Sequence, residues 1–249
     1  MKILTHRGLD PSRTDFYSES TLEAFKNHLE RGYGLELDVN FTRDGIVIFH
    51  DSSLKRQTRG ADARVLTELT TQDALAVKLS KGRLGTLAEL AQVAQNHPSQ
   101  KIALHFKGGL QKEHYTTRLL DALKKWPTPT SDLLLFDLLP TTAMFVKERM
   151  PELNLGAAIA HPYDVVRYNS AVHGTLMTVD DFLKLPKGLY ATAWLDEWDL
   201  SAPLENGQID PNGKKLYTSD LMNVLRQNGF EIALVTPELH GTSPGLFAN

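Results

Sequence analysis

The sequence contains no cysteine among its 249 residues. Disulfide bonds, thiolate metal sites and cysteine nucleophiles are therefore excluded. No apolar run approaches the roughly 20 residues that a membrane-spanning helix needs. An excess of positive charge is also lacking, because 27 basic and 30 acidic residues leave a formal net charge of -3. No basic stretch runs along the chain, and this argues against nucleic acid as a main partner.

The composition is that of an ordinary soluble protein, with 41% hydrophobic and 23% charged residues. A chain of this length supports a sizeable core. The N-terminus enters a strand directly and shows no signal-peptide architecture, so we expect a cytoplasmic protein. No linker, repeat or break in composition appears, and we predict a single domain over residues 1–249.

Strand and helix patterns alternate along most of the chain, which is typical of α/β proteins. Strands are predicted at residues 2–5, 34–40, 101–107, 132–137, 154–160, 174–178, 189–194 and 230–236. A hairpin after the second of these adds one short returning strand. Capping-box sequences at Ser20–Glu23 and Thr86–Glu89 begin two helices, and residues 52–85 form a short insertion before the second. Repeated βα units in about 250 residues favour a closed single-domain (β/α)8 TIM barrel over an open sheet.

The most informative residues lie on the second predicted strand and its hairpin. Glu36 and Asp38 face the same side, which is costly for buried carboxylates unless a cation or several donors lie between them. A three-residue loop at Arg43–Gly45, with its glycine at positive φ, would pair Asp38 with His50. A two-residue loop would instead pair Val39 with His50 and turn the imidazole away. The functional interpretation therefore predicts the three-residue loop.

In a barrel, functional side chains gather where the strands end. The predicted strand ends, with the hairpin, carry His6, Arg7, Glu36, Asp38, His50, His105, Lys107, Asp137, His161, Trp194, Asp196 and Glu197. Paired carboxylates suit a hard divalent cation such as Mg²⁺ or Ca²⁺. Arginine and lysine suit a phosphate, and two histidines suit acid–base work near neutral pH. Together these residue types predict phosphodiester cleavage.

Several motifs follow one another in a fixed order and spacing between His6 and Gly108. They are His6-Arg7-Gly8, Glu19-Ser20-Thr21, Glu36-Leu37-Asp38-Val39, Asp44-Gly45, His50-Asp51, Arg56 with Thr58 and Gly60, and Thr86-Leu87 with Glu89. This set resembles the glycerophosphodiester phosphodiesterase family, of which the chain would be a divergent member. The resemblance implies a barrel of the phosphatidylinositol-phospholipase-C-like type, a role in lipid metabolism and a small-molecule phosphodiester as substrate.

The resemblance also implies an acid–base pair, two carboxylate metal ligands and two phosphate-binding cations. These roles fall on His6 and His50, on Glu36 and Asp38, and on Arg7 and Lys107, respectively. Glu19 would lie behind them and orient His6 or Arg7. In the implied reaction a neighbouring hydroxyl of the substrate attacks phosphorus, one histidine takes its proton and the other protonates the leaving alcohol. Water then opens the cyclic phosphate.

The third strand departs from the family pattern, because it reads His105-Phe106-Lys107 where the family has a glutamate as third metal ligand. His105 could bind through nitrogen, which would favour Mn²⁺ or Zn²⁺ over Mg²⁺ and Ca²⁺. Alternatively, Asp196 supplies the missing oxygen, or the metal site is weaker.

Three functions remain open from the residues. The first is a metal-dependent phosphoric diester hydrolase that cleaves a glycerophosphodiester or a related polyol phosphodiester into an alcohol and a phosphomonoester. The second is a lyase that stops at the cyclic phosphate, since the same two histidines serve both reactions. The third is a degenerate barrel that binds a phosphorylated ligand without cleaving it, which the altered position His105 motivates.

Overall fold

The structure is a computed structural model that describes residues 2–127, 132–196 and 216–235. The chain forms two compact units. The first comprises Met1–Leu135 and Glu148–Asn154, and the second comprises Phe136–Lys147 and Leu155–Asn249. Each unit has its own buried hydrophobic cluster. The single-domain interpretation stays a prediction.

The first unit alternates strands and helices, with one antiparallel excursion. Its elements are β1 (Leu4–His6), α1 (Leu22–Glu30), β2 (Gly34–Phe41), β3 (Ile46–Ile48), α2 (Thr71–Leu75), β4 (Gly85–Thr86), α3 (Leu87–Ala94), β5 (Ile102–His105) and α4 (Glu113–Leu123). Short 3₁₀ turns occur at Leu66–Glu68 and Gly108–Leu110. β6 (Leu133–Phe136) follows at the end of this stretch of sequence.

β2 is the central strand of this unit, and all of its residues are buried. β1 pairs with it in parallel through His6 and Glu36, and β5 pairs with it in parallel through Asp38 and His105. Partners in parallel strands point to the same face, so this register brings the four polar side chains to one side of the sheet. Gly34 is required at the start of β2, since a Cβ there would lie 2.4 Å from a methyl carbon of Leu4.

The hairpin after β2 is present, but its predicted register is wrong. Phe41 pairs with Ile46, which leaves a four-residue loop, and Gly45 does not have a positive φ. Side chains close the turn instead: the Gly45 amide donates to Thr42 Oγ1 at 2.9 Å, and Asp44 accepts from the Thr71 amide at 2.7 Å. Glycine is needed at position 45 for space, because a Cβ would lie 2.3 Å from Thr71 Oγ1.

The corrected register does not turn His50 away. β3 ends at Ile48, and the amide of buried Phe49 still donates to the carbonyl of Asp38 at 3.1 Å. His50 follows in a bend, where strand alternation no longer determines the direction of a side chain. The three-residue loop was therefore not a requirement for a site that includes His50.

The two predicted capping boxes have different outcomes. The box at Thr86 is confirmed, with both of its reciprocal hydrogen bonds present. The capping box predicted at Ser20–Glu23 is wrong, because the side chain of Thr21, the N-cap residue of α1, makes no capping hydrogen bond. Thr21 Oγ1 donates instead to the carbonyl of Ser18 at 2.7 Å, and Glu23 accepts from the amide of Arg83 at 2.9 Å. A contact with Ser18 and a contact with Arg83 of the insertion thus replace the local cap.

The remaining elements are α5 (Pro140–Arg149), β7 (Asn154–Ile159), α6 (Pro162–Tyr168), α7 (Val179–Leu183), β8 (Thr192–Leu195), α8 (Ser219–Gln227) and β9 (Glu231–Leu234). β7, β8 and β9 pair in parallel in that order. Among the helices of the described ranges, none has the length and apolarity for a membrane crossing.

The predicted strand at residues 174–178 is reduced to one bridge between Ile159 and Met177. The bridge uses the Met177 amide, which donates to the Ala158 carbonyl at 3.1 Å, whereas the amide of Leu176 donates to Asn169 Oδ1 at 3.0 Å. The last strand is shorter than predicted, and residue 236, at its predicted end, lies outside the described residues.

Candidate active site

The polar side chains of β2 and β5 form a compact cluster in the first unit. One possible ligand atom from each of Glu36, Asp38 and His105 lies within 4.8 Å of the others. His105 Nδ1 is 2.9 Å from Asp38 Oδ1. The two carboxylates are almost fully buried, with 7% and 1% of their surface exposed. The register of the parallel β2–β5 pair therefore assembles a candidate metal centre.

Two cations flank Asp38. The Arg7 Nε atom lies 3.2 Å from Asp38 Oδ2, and the Lys107 Nζ atom lies 3.4 Å from Oδ1. Arg7 has a left-handed backbone, with φ at 52°, which is fixed by bonds of its amide to Glu36 O and of its carbonyl to the Ser20 amide. Such an unfavourable conformation persists where surrounding contacts hold it, often at functional sites. The sequence-predicted phosphate-binding residues therefore lie beside the predicted metal ligands.

The pKa values of the two carboxyls move in opposite directions. Burial and the nearby charge of Asp38 raise the pKa of Glu36 to about 8. Burial acts against ionisation of Asp38 as well, but the hydrogen bond and charge of His105, with Lys107, hold its pKa well below the ordinary value. Pairs of groups whose environments separate their pKa values are typical of functional sites.

The donor set fits a divalent cation. Glu36 Oε2 is buried and has no hydrogen-bond partner among the described residues. A buried oxygen of this kind is costly unless a cation or donor satisfies it. Two carboxylates and an imidazole are acceptable ligands for Mg²⁺, Mn²⁺ or Zn²⁺.

His6 lies next to this cluster, with its Nε2 atom 3.8 Å from Glu36 Oε2. Burial, followed by the positive charge of Arg7, lowers the pKa of His6 to about 4. The imidazole is therefore neutral near pH 7 when no metal or substrate is bound, and it can accept a proton.

His50 is held by a chain of charged side chains. Its Nδ1 atom is 2.6 Å from Asp51 Oδ1, and Arg56 Nε donates to Asp51 Oδ2 at 2.7 Å. Arg56 Nη2 also donates to Glu19 Oε1. Burial tends to raise the pKa of Asp51, but hydrogen bonds from His50 and Arg56 outweigh it and lower the pKa to about 2. The backbone carbonyl of His50 accepts from Lys107 Nζ, which ties this chain to the cluster.

The contact predicted for Glu19 differs from the one observed. Its partner is Arg56 and not His6 or Arg7, so its connection leads through Asp51 to His50. The participation of Arg56 was missed as a site contact, although its spacing of five residues after Asp51 belongs to the family motif. A spacing alone does not show which carboxylates a long arginine side chain will reach.

Asp196, the alternative third ligand, lies in the second unit directly after β8. It is half-buried, and its backbone amide donates to the Ile159 carbonyl at 2.9 Å. Its role as a metal ligand stays a prediction. Glu197 lies outside the described residues.

Solved structures of low sequence identity share the fold. A candidate glycerophosphodiester phosphodiesterase from Galdieria sulphuraria has a TM-score of 0.66 at 16% identity, with 94% of this chain and 83% of that chain covered. A phosphodiesterase from Oleispira antarctica, solved with the product sn-glycerol-3-phosphate, has a TM-score of 0.56 at 18% identity, with 97% and 96% covered. No curated protein matches this chain in sequence.

The family model that matches this chain defines its class, a (β/α)8-barrel phosphoric diester hydrolase. Residues 6–193 match the sequence model of the Glycerophosphoryl diester phosphodiesterase family. Because this match covers more than half of the chain, the chain belongs to that family.

Proposed function

We propose that the protein is a metal-dependent hydrolase that cleaves a glycerophosphodiester into sn-glycerol 3-phosphate and an alcohol. The observation that carries this proposal is the clustering of Glu36, Asp38 and His105 with two cations beside Asp38. The bound sn-glycerol-3-phosphate of the Oleispira antarctica relative supports the substrate class. A role in lipid metabolism and a cytoplasmic location stay predictions.

The chain's own residues divide the chemistry between binding and proton transfer. Arg7 and Lys107 are proposed to bind the phosphate oxygens as charge-assisted donors. His6 and His50 are proposed to exchange protons with the attacking hydroxyl and the leaving alcohol, each contributing typically 10²–10⁴-fold to the rate. Asp51 holds His50 through Nδ1, so that Nε2 is the nitrogen available to the substrate.

Glu36 and Asp38 are proposed to hold a divalent cation, with His105 as third ligand. The cation would supply charge stabilisation at the phosphoryl oxygens. A nitrogen ligand in place of a carboxylate favours Mn²⁺ or Zn²⁺ relative to Ca²⁺, whereas Mg²⁺ and Ca²⁺ suit the two carboxylates alone. Asp196 remains the alternative third ligand.

Hydrolysis of glycerophosphocholine followed by phosphorus NMR tests the proposal with Mg²⁺, Ca²⁺, Mn²⁺ and Zn²⁺ in turn. We expect sn-glycerol 3-phosphate as the product and a loss of about 10²-fold or more in kcat for His6→Ala and for His50→Ala. His114→Ala is the matched control, because this exposed histidine lies on α4.

The outcomes separate the three functions. Accumulation of a cyclic phosphate would identify a lyase. Binding of sn-glycerol 3-phosphate by calorimetry without turnover under any metal would identify a binding protein. Full activity in both histidine variants would refute the proposed roles of His6 and His50.

A further inference from the structure

A basic cavity, open to solvent, is lined in part by the Asp51–Arg56 pair. Its volume is about 510 Å³, and it is shallow. Its lining residues are Asp51, Ser53, Lys55, Arg56, Arg59 and Gly60. Asp51 also binds the imidazole of His50, so one wall of the cavity is shared with the proposed acid–base machinery.

The loop that carries the cations has a defined backbone. The Gly60 amide donates to the Lys55 carbonyl at 2.8 Å, and the Arg59 amide donates to the Arg56 carbonyl at 3.1 Å. Thr58 Oγ1 crosses the loop by donating to the Asp62 carbonyl at 2.9 Å. Hydrogen bonds inside the loop therefore order the backbone that carries Lys55 and Arg59.

Positive charge is in excess in this cavity, because its lining has three basic residues and one acidic residue. Arg56 is neutralised by Asp51 and Glu19. Lys55 and Arg59 are exposed and have no acidic partner among the described residues. Two uncompensated cations in one concave surface attract an anion and repel a cationic group.

We infer that Lys55 and Arg59 form a specificity subsite for a second anionic group, a carboxylate or a phosphate, on the alcohol esterified to glycerol phosphate. The inference rests on the proposed function and adds to it the substrate class. Glycerophosphodiesters with an anionic alcohol are preferred over those whose alcohol carries choline or ethanolamine. Since both side chains are exposed, the preference is moderate and decreases with salt.

The test compares two substrates that differ in one group. In glycerophosphoglycerol the alcohol ends in CH₂OH, and in glycerophosphoglycerate it ends in a carboxylate. We expect kcat/KM of the unmodified protein to be about 5- to 20-fold higher for the carboxylate substrate at low salt. The ratio should approach one in the double variant Lys55→Gln/Arg59→Gln, whereas Lys26→Gln, at an exposed position of α1, should leave it unchanged.

Charge reversal gives a second readout that a general loss of activity cannot imitate. Lys55→Glu should increase kcat/KM for glycerophosphoethanolamine relative to glycerophosphoglycerate by at least the same factor. Equal kcat/KM for the two matched substrates, or a ratio that survives the double substitution, would overturn the subsite. Absence of hydrolysis for every substrate would instead overturn the proposed function itself.

Discussion

The carboxylate of Asp51 offers the sharpest test of how His50 is held. It accepts from His50 Nδ1 at 2.6 Å and from Arg56 Nε at 2.7 Å. Asp51→Asn preserves the size of the side chain but removes its charge. An amide in this place also presents either an oxygen or an NH₂ group to His50, so the imidazole loses its fixed tautomer.

The size of the effect follows from the pKa of Asp51. Lowering the pKa from 3.8 to about 2 corresponds to about 2.5 kcal/mol, which is the net excess of the interactions with His50 and Arg56 over the cost of burial. If all of it acted in the transition state, the loss would be roughly 60-fold in rate. Because the pair is only half-buried, solvent screens part of this interaction, and we expect about 10-fold.

The assay is kcat and KM for glycerophosphocholine at saturating metal. We expect kcat to fall about 10-fold with KM changed less than threefold, because Asp51 acts on His50 and not on the bound phosphate. Asp121→Asn is the matched control, since this exposed carboxylate on α4 pairs only with Lys124 among the described residues. A kcat within twofold of the unmodified protein would refute the positioning role of Asp51.

Three further predictions concern the proposed third metal ligand His105, the buried carboxyl of Glu36 and Gly34 at the start of β2. His105→Glu should raise Mg²⁺ affinity relative to Mn²⁺ by about tenfold in calorimetry, since an oxygen replaces a nitrogen ligand. Glu36 retains its proton in the folded, metal-free state up to a pKa of about 8, against 4.5 when unfolded. The contribution of Glu36 to the stability of the folded state is therefore complete below pH 4.5 and is lost as the pH rises to about 8. Glu36→Gln should flatten the plot of Tm against pH over this range. Gly34→Ala should lower the unfolding free energy by about 2–4 kcal/mol in urea titrations, because a Cβ would lie 2.4 Å from Leu4 and 2.5 Å from the Lys101 carbonyl.

Alternation along a buried strand predicted that two carboxylates share a face, whereas their role as metal ligands followed from the family resemblance and the third ligand stayed open between His105 and Asp196. Glu36 and Asp38 share a face because they are two residues apart, and parallel pairing brings His105 beside Asp38. The residues at the ends of β1, β2 and β5 were predictable for the same reason. These features depend on local periodicity, which a sequence displays directly.

The hairpin register depended on side-chain contacts between distant segments. Thr71, which belongs to α2, contacts both Thr42 and Asp44 and stabilises a four-residue loop. Turn rules that consider only neighbouring residues cannot anticipate such a contact. The bend at His50 had the same origin, because Phe49 packs in the cluster of the insertion.

Long charged side chains were the other source of error. Glu19 was expected at His6 or Arg7, but it reaches Arg56. The choice among several cations is determined by where each flexible side chain can extend on the folded backbone. Sequence spacing predicted the participants of this network and not their pairing.

The most direct test of the central claim is a crystal structure of the protein with Mn²⁺ and sn-glycerol 3-phosphate, with the metal located by anomalous scattering. We expect a Mn²⁺ peak at about 2.2 Å from oxygens of Glu36 and Asp38, and the phosphate between the rings of His6 and His50. A metal bound elsewhere, or a phosphate out of reach of both imidazoles, would contradict it.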